Sequence, residues 1–301
     1  MKTLLKNKML DFVLNSHWYN NVMFKDCRKF WELGDSVFEV VNLGSTSGVF
    51  DFDYSGLTYK GANWAVGPQS IYGDFAVLRQ YRKHLKNGAT VIYPLCPFTS
   101  ISGAEEYVDD RCYSFLDYNL IPNAHYLRLS KIKQIKDNPI SYYPLSSLKI
   151  DIKLGLFGNR VKEPICSEQY LKKDAENILN AWKRQFQLVD LSQPFEGHLK
   201  DIYDKGVVLL REMVTFCKSN NLKLVIVIPP MHKSLSSLFS MEARKNLIDS
   251  FILESIESSV PYYNLMEDQH FSDDSSLFRS SYYLNQKGAK KFTSYFLNLI
   301  S

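Results

Sequence analysis

The sequence predicts an α/β protein built on a doubly wound parallel sheet, and three observations carry that reading. Residues 37–43 (VFEVVNL), 89–95 (ATVIYPL) and 222–228 (LKLVIVI) are continuous apolar runs rich in β-branched residues, the pattern of strands buried on both faces. Segments of helical periodicity alternate with them at short spacing, which calls for crossover connections. Residues 98–200 break that rhythm, and a hundred residues is too long for a bare loop in a compact domain.

In chain order, the N-terminal stretch combines Lys2, Lys6 and Lys8 with Leu4, Leu5, Met9, Phe12 and Val13, interrupted by Asn7, Asp11 and Asn15. It lacks the form of a signal peptide and is expected to pack on the domain rather than touch a membrane surface. After the first strand, residues 69–86 place Ile71, Phe75, Leu78, Tyr81 and Leu85 on one stripe and close at Asn87-Gly88, a helix stop. Residues 202–220 and 241–258 repeat the helical pattern, 260–265 (VPYYNL) reads as a fourth strand, and 285–300 as a closing helix. The irregular segment 98–200 holds Tyr142-Tyr143, Pro139, Pro144, a Lys-rich stretch at 131–136 and a Gly-containing turn near 155–159. It reads as an insertion or cap within a single domain spanning 1–301.

The length of 301 residues is long for one compact domain and short for two, and 45% hydrophobic with 23% charged residues excludes general disorder and fibrous classes. The net charge of +4 is spread without blocks of like charge, so nothing argues for nucleic acid. Cys27, Cys96, Cys112, Cys166 and Cys217 form no CxxC and no Cys/His cluster, and read as free thiols in a reducing, cytoplasmic setting. No run approaches the roughly 18 apolar residues of a membrane span. Aromatic residues reach 14%, with 19 Tyr, which fits ligand grooves, an interface or a biased genome equally.

In a doubly wound sheet, working residues follow the carboxyl ends of strands. Those positions hold Gly44-Ser45-Thr46-Ser47-Gly48, then Cys96 to Ser100, then Pro229-Pro230-Met231-His232-Lys233-Ser234. Near the end come Arg279-Ser280-Ser281-Tyr282-Tyr283-Leu284-Asn285-Gln286-Lys287-Gly288-Ala289. This last segment resembles the terminal block of the SGNH (GDSL-like) hydrolase family, D-x-x-H-L-N-x-x-G-A before a closing helix. Val41-Asn42-Leu43-Gly44-Ser45-Thr46 resembles the family's opening block, and Gly61-Ala62-Asn63-Trp64-Ala65-Val66-Gly67-Pro68 its second. The likeness is greatest to the branch that O-acylates bacterial surface polysaccharides. It implies a three-layer, flavodoxin-like α/β/α fold and an esterase or O-acyltransferase acting on an acylated sugar or polysaccharide precursor, with no cofactor. By the same resemblance Thr46 stands at the nucleophile, Ser45 precedes it, and Gly67 lends an oxyanion N–H, with Asn63 in the same block.

The chemistry departs from the family. Ser280 stands where the family has its orienting Asp and Tyr283 where it has its general-base His, and no Asn follows the second core strand. Attack by a hydroxyl needs a base and preorganised donors, and tyrosine, with an ordinary pKa near ~10, is a poor base at neutral pH. His232, past the third strand, is the best remaining imidazole. Ser45 or Ser47 could replace Thr46 as the hydroxyl, while His270 with Glu267 or Asp268, and Gly34-Asp35-Ser36 ahead of a strand, are weaker placements. Two functions follow: an SGNH-like ester or acyl-transfer enzyme, or a family member without its triad that binds carbohydrate or serves as a scaffold, its aromatics stacking on a sugar. Nucleotide loops are absent, the adjacent acids Asp109-Asp110 and Asp273-Asp274 read as hydrated loop charges, and no His or Cys pair has zinc spacing.

Overall fold

Strands β1 (Phe38–Asn42), β2 (Gly61–Asn63), β3 (Leu85–Pro94), β4 (Lys223–Ile228) and β5 (Tyr262–Asn264) pair in parallel as one sheet in the order β2-β1-β3-β4-β5. The order is that of a doubly wound sheet whose direction of growth reverses between β1 and β3. The structure is a computed structural model and describes residues 2–104, 106, 108–157, 166–256 and 259–301. The longer helices are α1 (Lys2–Leu14), α2 (Thr46–Asp51), α3 (Ile71–Tyr81), α4 (Tyr126–Asp137), α5 (Leu145–Phe157), α6 (Glu168–Gln185), α7 (Gly197–Ser219) and α8 (Gln286–Leu299).

The strands are apolar on both faces because both are covered. Val40, Ile92, Val225 and Val227 share one buried cluster with Phe292 and Phe296 of α8. The alternate residues Val41, Val91 and Ile226 are also fully buried, as the two-residue period requires. Helix α7 packs on β4 and α3 through Ile202, Val207, Leu210, Met213, Val214 and Cys217, spaced to share one stripe. Asn285 caps α8, its Oδ1 accepting the Gly288 N–H at 2.9 Å.

The described residues form two compact units, one of residues 1–35 with 108–162 and one of 36–107 with 163–301. The segment 98–200, expected as one insertion, is thus divided between them. The first unit is helical. In it Phe30 stacks on Phe115 at 4.4 Å, Lys136 lies 4.2 Å from the Trp31 ring centroid, and Ile132 and Ile135 of the Lys-rich stretch are buried. The second holds the sheet.

Some boundaries differ from the expected ones. The helix expected over 69–86 ends at Tyr81, and the chain enters β3 at Leu85, because Leu85 is buried opposite Phe38. Asn87-Gly88 is therefore a bulge in a strand and not a helix stop, with Gly88 at φ +74° donating its N–H to Asn221 at 2.8 Å. Strand β2 is three residues long and carries too little pattern to be read from sequence. The turn expected near 155–159 is partly helix, since α5 runs to Phe157, and its remainder lies outside the described residues, as does the end of the helix expected over 241–258.

Candidate functional site

The reversal between β1 and β3 opens a crevice at the carboxyl ends of those strands, the general ligand position of such sheets. Gly44, at φ +105°, turns the chain out of β1; a Cβ there would stand 3.0 Å from the Pro94 carbonyl oxygen, so only glycine fits. Its N–H donates to Asp74 Oδ1 at 3.1 Å, which ties the turn to α3. Ser45 then accepts the Gln69 N–H on its Oγ at 3.0 Å, and α2 begins at Thr46. Gly67 closes the far side. A Cβ on it would lie 2.8 Å from Thr46 Oγ1 and 3.1 Å from Thr46 N, so the missing side chain is what lets the two segments meet.

The block before α8 supplies the opposite wall. Arg279 N–H donates to the Tyr283 carbonyl at 3.0 Å, and Ser280 Oγ accepts the N–H of Tyr283 at 3.0 Å and of Tyr282 at 3.3 Å. Ser281 is anchored by its N–H and hydroxyl to Asp174 Oδ2, at 2.7 and 2.8 Å, and Leu284 N–H to Asp51 Oδ1 at 2.9 Å. This knot drives Tyr282 and Tyr283 inward. The Tyr283 hydroxyl faces the Thr46 side chain.

Together these segments enclose a cavity of about 260 Å³. Ser45, Thr46, Ser47, Gln69, Ser70, Ser102 and Gln185 give it a polar lining, and Phe98, Trp182, Phe186, Tyr282 and Tyr283 give it aromatic walls. Among the described residues lining it there is no Asp, Glu, His, Lys or Arg. The Tyr282 hydroxyl is buried, has no oxygen or nitrogen partner and faces only the Cys96 thiol. Burial is the largest cause raising both tyrosines far above the usual phenol value, and the neighbouring Cys96 and Asp51 push the same way, so both phenols stay protonated. Burial likewise raises the Cys96 thiol. Asp51, fully buried at the end of α2, is raised well above the carboxylate range by desolvation, against the Leu284 N–H and Arg279, which lower it.

A larger cavity of about 660 Å³ lies at the amino ends of β3 and β4, lined by Ala89, Thr90, Leu224, Val225, Pro261 and Ile300 among others. It is at the edge of the sheet opposite the crevice, and no described residue lining it has a buried polar atom without a partner.

Of the residues singled out by sequence, Ser45, Thr46 and Tyr283 meet at the cavity, with Gly67 against Thr46 and Ser280 bracing the tyrosine turn. Asn63 does not join them. Its Nδ2 donates to the carbonyls of Gly48 at 2.8 Å and Phe52 at 3.0 Å, and its Oδ1 accepts the Ala65 N–H, so it fastens α2 to β2. His232 does not line the cavity. It caps a short helix, with Nδ1 accepting the Ser234 N–H at 3.3 Å and Nε2 lying 3.4 Å from Glu168 Oε2, and it is wholly buried. His270 is exposed and paired with Asp268 at 2.7 Å. Ser36 precedes β1, at its amino end. Sequence reasoning missed Trp182 and Phe186, which α6 brings from a hundred residues upstream of the tyrosines, and no local signal marks them. No protein-family profile and no curated protein matches the sequence.

Proposed function

We propose that the chain is a doubly wound α/β protein of the SGNH kind that lacks the family's catalytic machinery and uses the cavity to bind an uncharged sugar unit, such as part of an acylated polysaccharide precursor. The observation that carries this reading is the Tyr282 hydroxyl, buried in the cavity wall without an oxygen or nitrogen partner. Such a group costs free energy unless something bonds to it. A ligand hydroxyl would do so, and the aromatic walls offer faces for the apolar side of a pyranose ring. The cavity volume, just below the roughly 300–1,000 Å³ of drug-sized pockets, limits the occupant to about one ring. The lack of ionised lining residues argues against a charged ligand.

A second reading, ester hydrolysis or acyl transfer from Thr46, is favoured by the Tyr283 hydroxyl facing Thr46 and by the close approach of Gly67. It lacks a base. Burial keeps Tyr283 protonated, and the His232 imidazole is turned to Glu168 and does not line the cavity. The two readings separate in one experiment, in which the protein is titrated calorimetrically with methyl hexosides and their O-acetyl forms and then incubated with p-nitrophenyl acetate and a fluorophosphonate. Saturable glycoside binding, weakened about five- to tenfold by Tyr282→Phe, with no turnover or labelling, is expected. Turnover and labelling of the wild type, abolished in Thr46→Ala, would overturn the binding reading.

A further inference from the structure

Among the described side chains of helix α5 the buried one is an acid, Asp151, which accepts the His17 N–H and the Tyr143 hydroxyl, each at 2.6 Å. Leu145, Ile150 and Ile152, the residues that would ordinarily seal a helix to its core, are exposed at 83%, 54% and 44%. Helix α1, whose Asp11 and Phe12 border the same hollow as Asp151 and Leu154, buries Val13 but leaves Leu4, Leu5 and Met9 exposed at 62%, 63% and 48%. Of the residues expected to pack on the domain, Val13 is buried and Phe12 meets the Tyr143 ring edge-on at 5.9 Å, whereas Leu4, Leu5 and Met9 stay exposed. Among the described residues, 13 of the 21 exposed large hydrophobic side chains fall in the helical unit, which has under a third of the chain.

The same unit carries the positive charge. Residues 1–35 and 108–162 contain 15 Lys and Arg against 9 Asp and Glu, a net charge of +6, while the rest of the chain has 21 against 23, or −2. Lys6 and Lys8 on α1 and Lys149 and Lys153 on α5 are exposed among the apolar positions. Lysines so placed can extend their ammonium groups to anionic headgroups while the apolar side chains enter the boundary of the acyl layer. At 13 residues, each helix is too short to cross a bilayer, which takes about 20. Among the described residues no helix is long and apolar enough to do so. We infer that the helical unit docks on the surface of an anionic lipid bilayer through the exposed apolar and basic residues of α1 and α5.

Co-sedimentation of the full chain with vesicles tests this, comparing phosphatidylcholine alone with phosphatidylcholine containing about 30% phosphatidylglycerol. The protein is expected to pellet with the anionic vesicles. Partition should fall about tenfold in Leu5→Glu/Met9→Glu and in Ile150→Glu/Ile152→Glu, and should weaken in about 0.5 M salt. All four positions are exposed, and circular dichroism verifies that the variants fold. Failure to pellet with anionic vesicles, or equal pelleting of the variants, would refute the assignment. A dimer by light scattering that dissociates in the variants would instead give the face to a second copy of the chain, and would equally overturn it.

Discussion

The cavity beside β1 and β3 and the surroundings of His232 beside β4 both lie past the carboxyl ends of strands in one sheet, yet they are built in opposite ways. The first is open enough to hold a ligand and is lined by neutral groups, several of them hydroxyls. The second holds an imidazole, but with no exposed surface and with both ring nitrogens turned to protein, toward the Ser234 N–H and Glu168. Hydroxyl-based acyl transfer needs these two endowments in one place. The sheet thus keeps its accessible hydroxyls and its buried imidazole apart, which is the arrangement the proposed binding role rests on.

The largest expected effect sharpens the cavity side of this contrast. Phe98, at 1% exposure, packs its ring against Trp182, Phe186 and Phe239 with centroids 4.6, 5.2 and 6.0 Å away. Phe98→Ala should lose about 3–5 kcal/mol in urea denaturation and abolish glycoside binding; wild-type stability would show that the aromatic wall is not continuous with the core. Next comes Gly67→Ala. Its Cβ must displace Thr46, so a loss of about 1–3 kcal/mol is expected, and calorimetry should register weaker binding beyond that caused by destabilisation. Unchanged binding would mean that ligand does not sit against Thr46.

The smallest effect concerns the buried imidazole. Burial is the main cause lowering the His232 pKa below its ordinary value of 6.5, Glu168 opposing it. The unfolded chain therefore takes up the proton first, so stability is full above about pH 6.5 and declines as the pH falls through the lowered folded value. His232→Asn keeps an acceptor for the Ser234 N–H and should flatten that decline in thermal melts between pH 5 and 8. An identical slope in both proteins would show that His232 is solvated, and would reopen its availability as a base.

Much of the sheet was legible because its strands carry two independent marks, continuous β-branched runs and abrupt Gly, Pro or Cys ends. Residues 89–95 and 222–228 locate β3 and β4 to within a few residues. The boundary at Leu85 was not legible, since an apolar residue at helical spacing joins a strand only once Phe38 lies opposite it. Thr46 and Tyr283 were readable as a pair because each sits in a block with the spacing of a known pattern. Asn63 was misplaced by the same pattern, since its amide is consumed by the carbonyls of Gly48 and Phe52. The exposed faces of α1 and α5 could not be read at all. Apolar spacing says which residues share a face, while burial depends on what lies against them.

The sequence by itself determined the parallel α/β class and the segments that follow its strands, because these depend on local pattern and residue chemistry. Only the tertiary structure decided that Trp182, Phe186 and Tyr282 wall one cavity, that His232 stays out of it, and that Asp151 is buried on α5 while Leu145, Ile150 and Ile152 are exposed. Those outcomes rest on contacts between residues tens to hundreds of positions apart, whose hydrogen bonds and burial are set by how the chain crosses over itself.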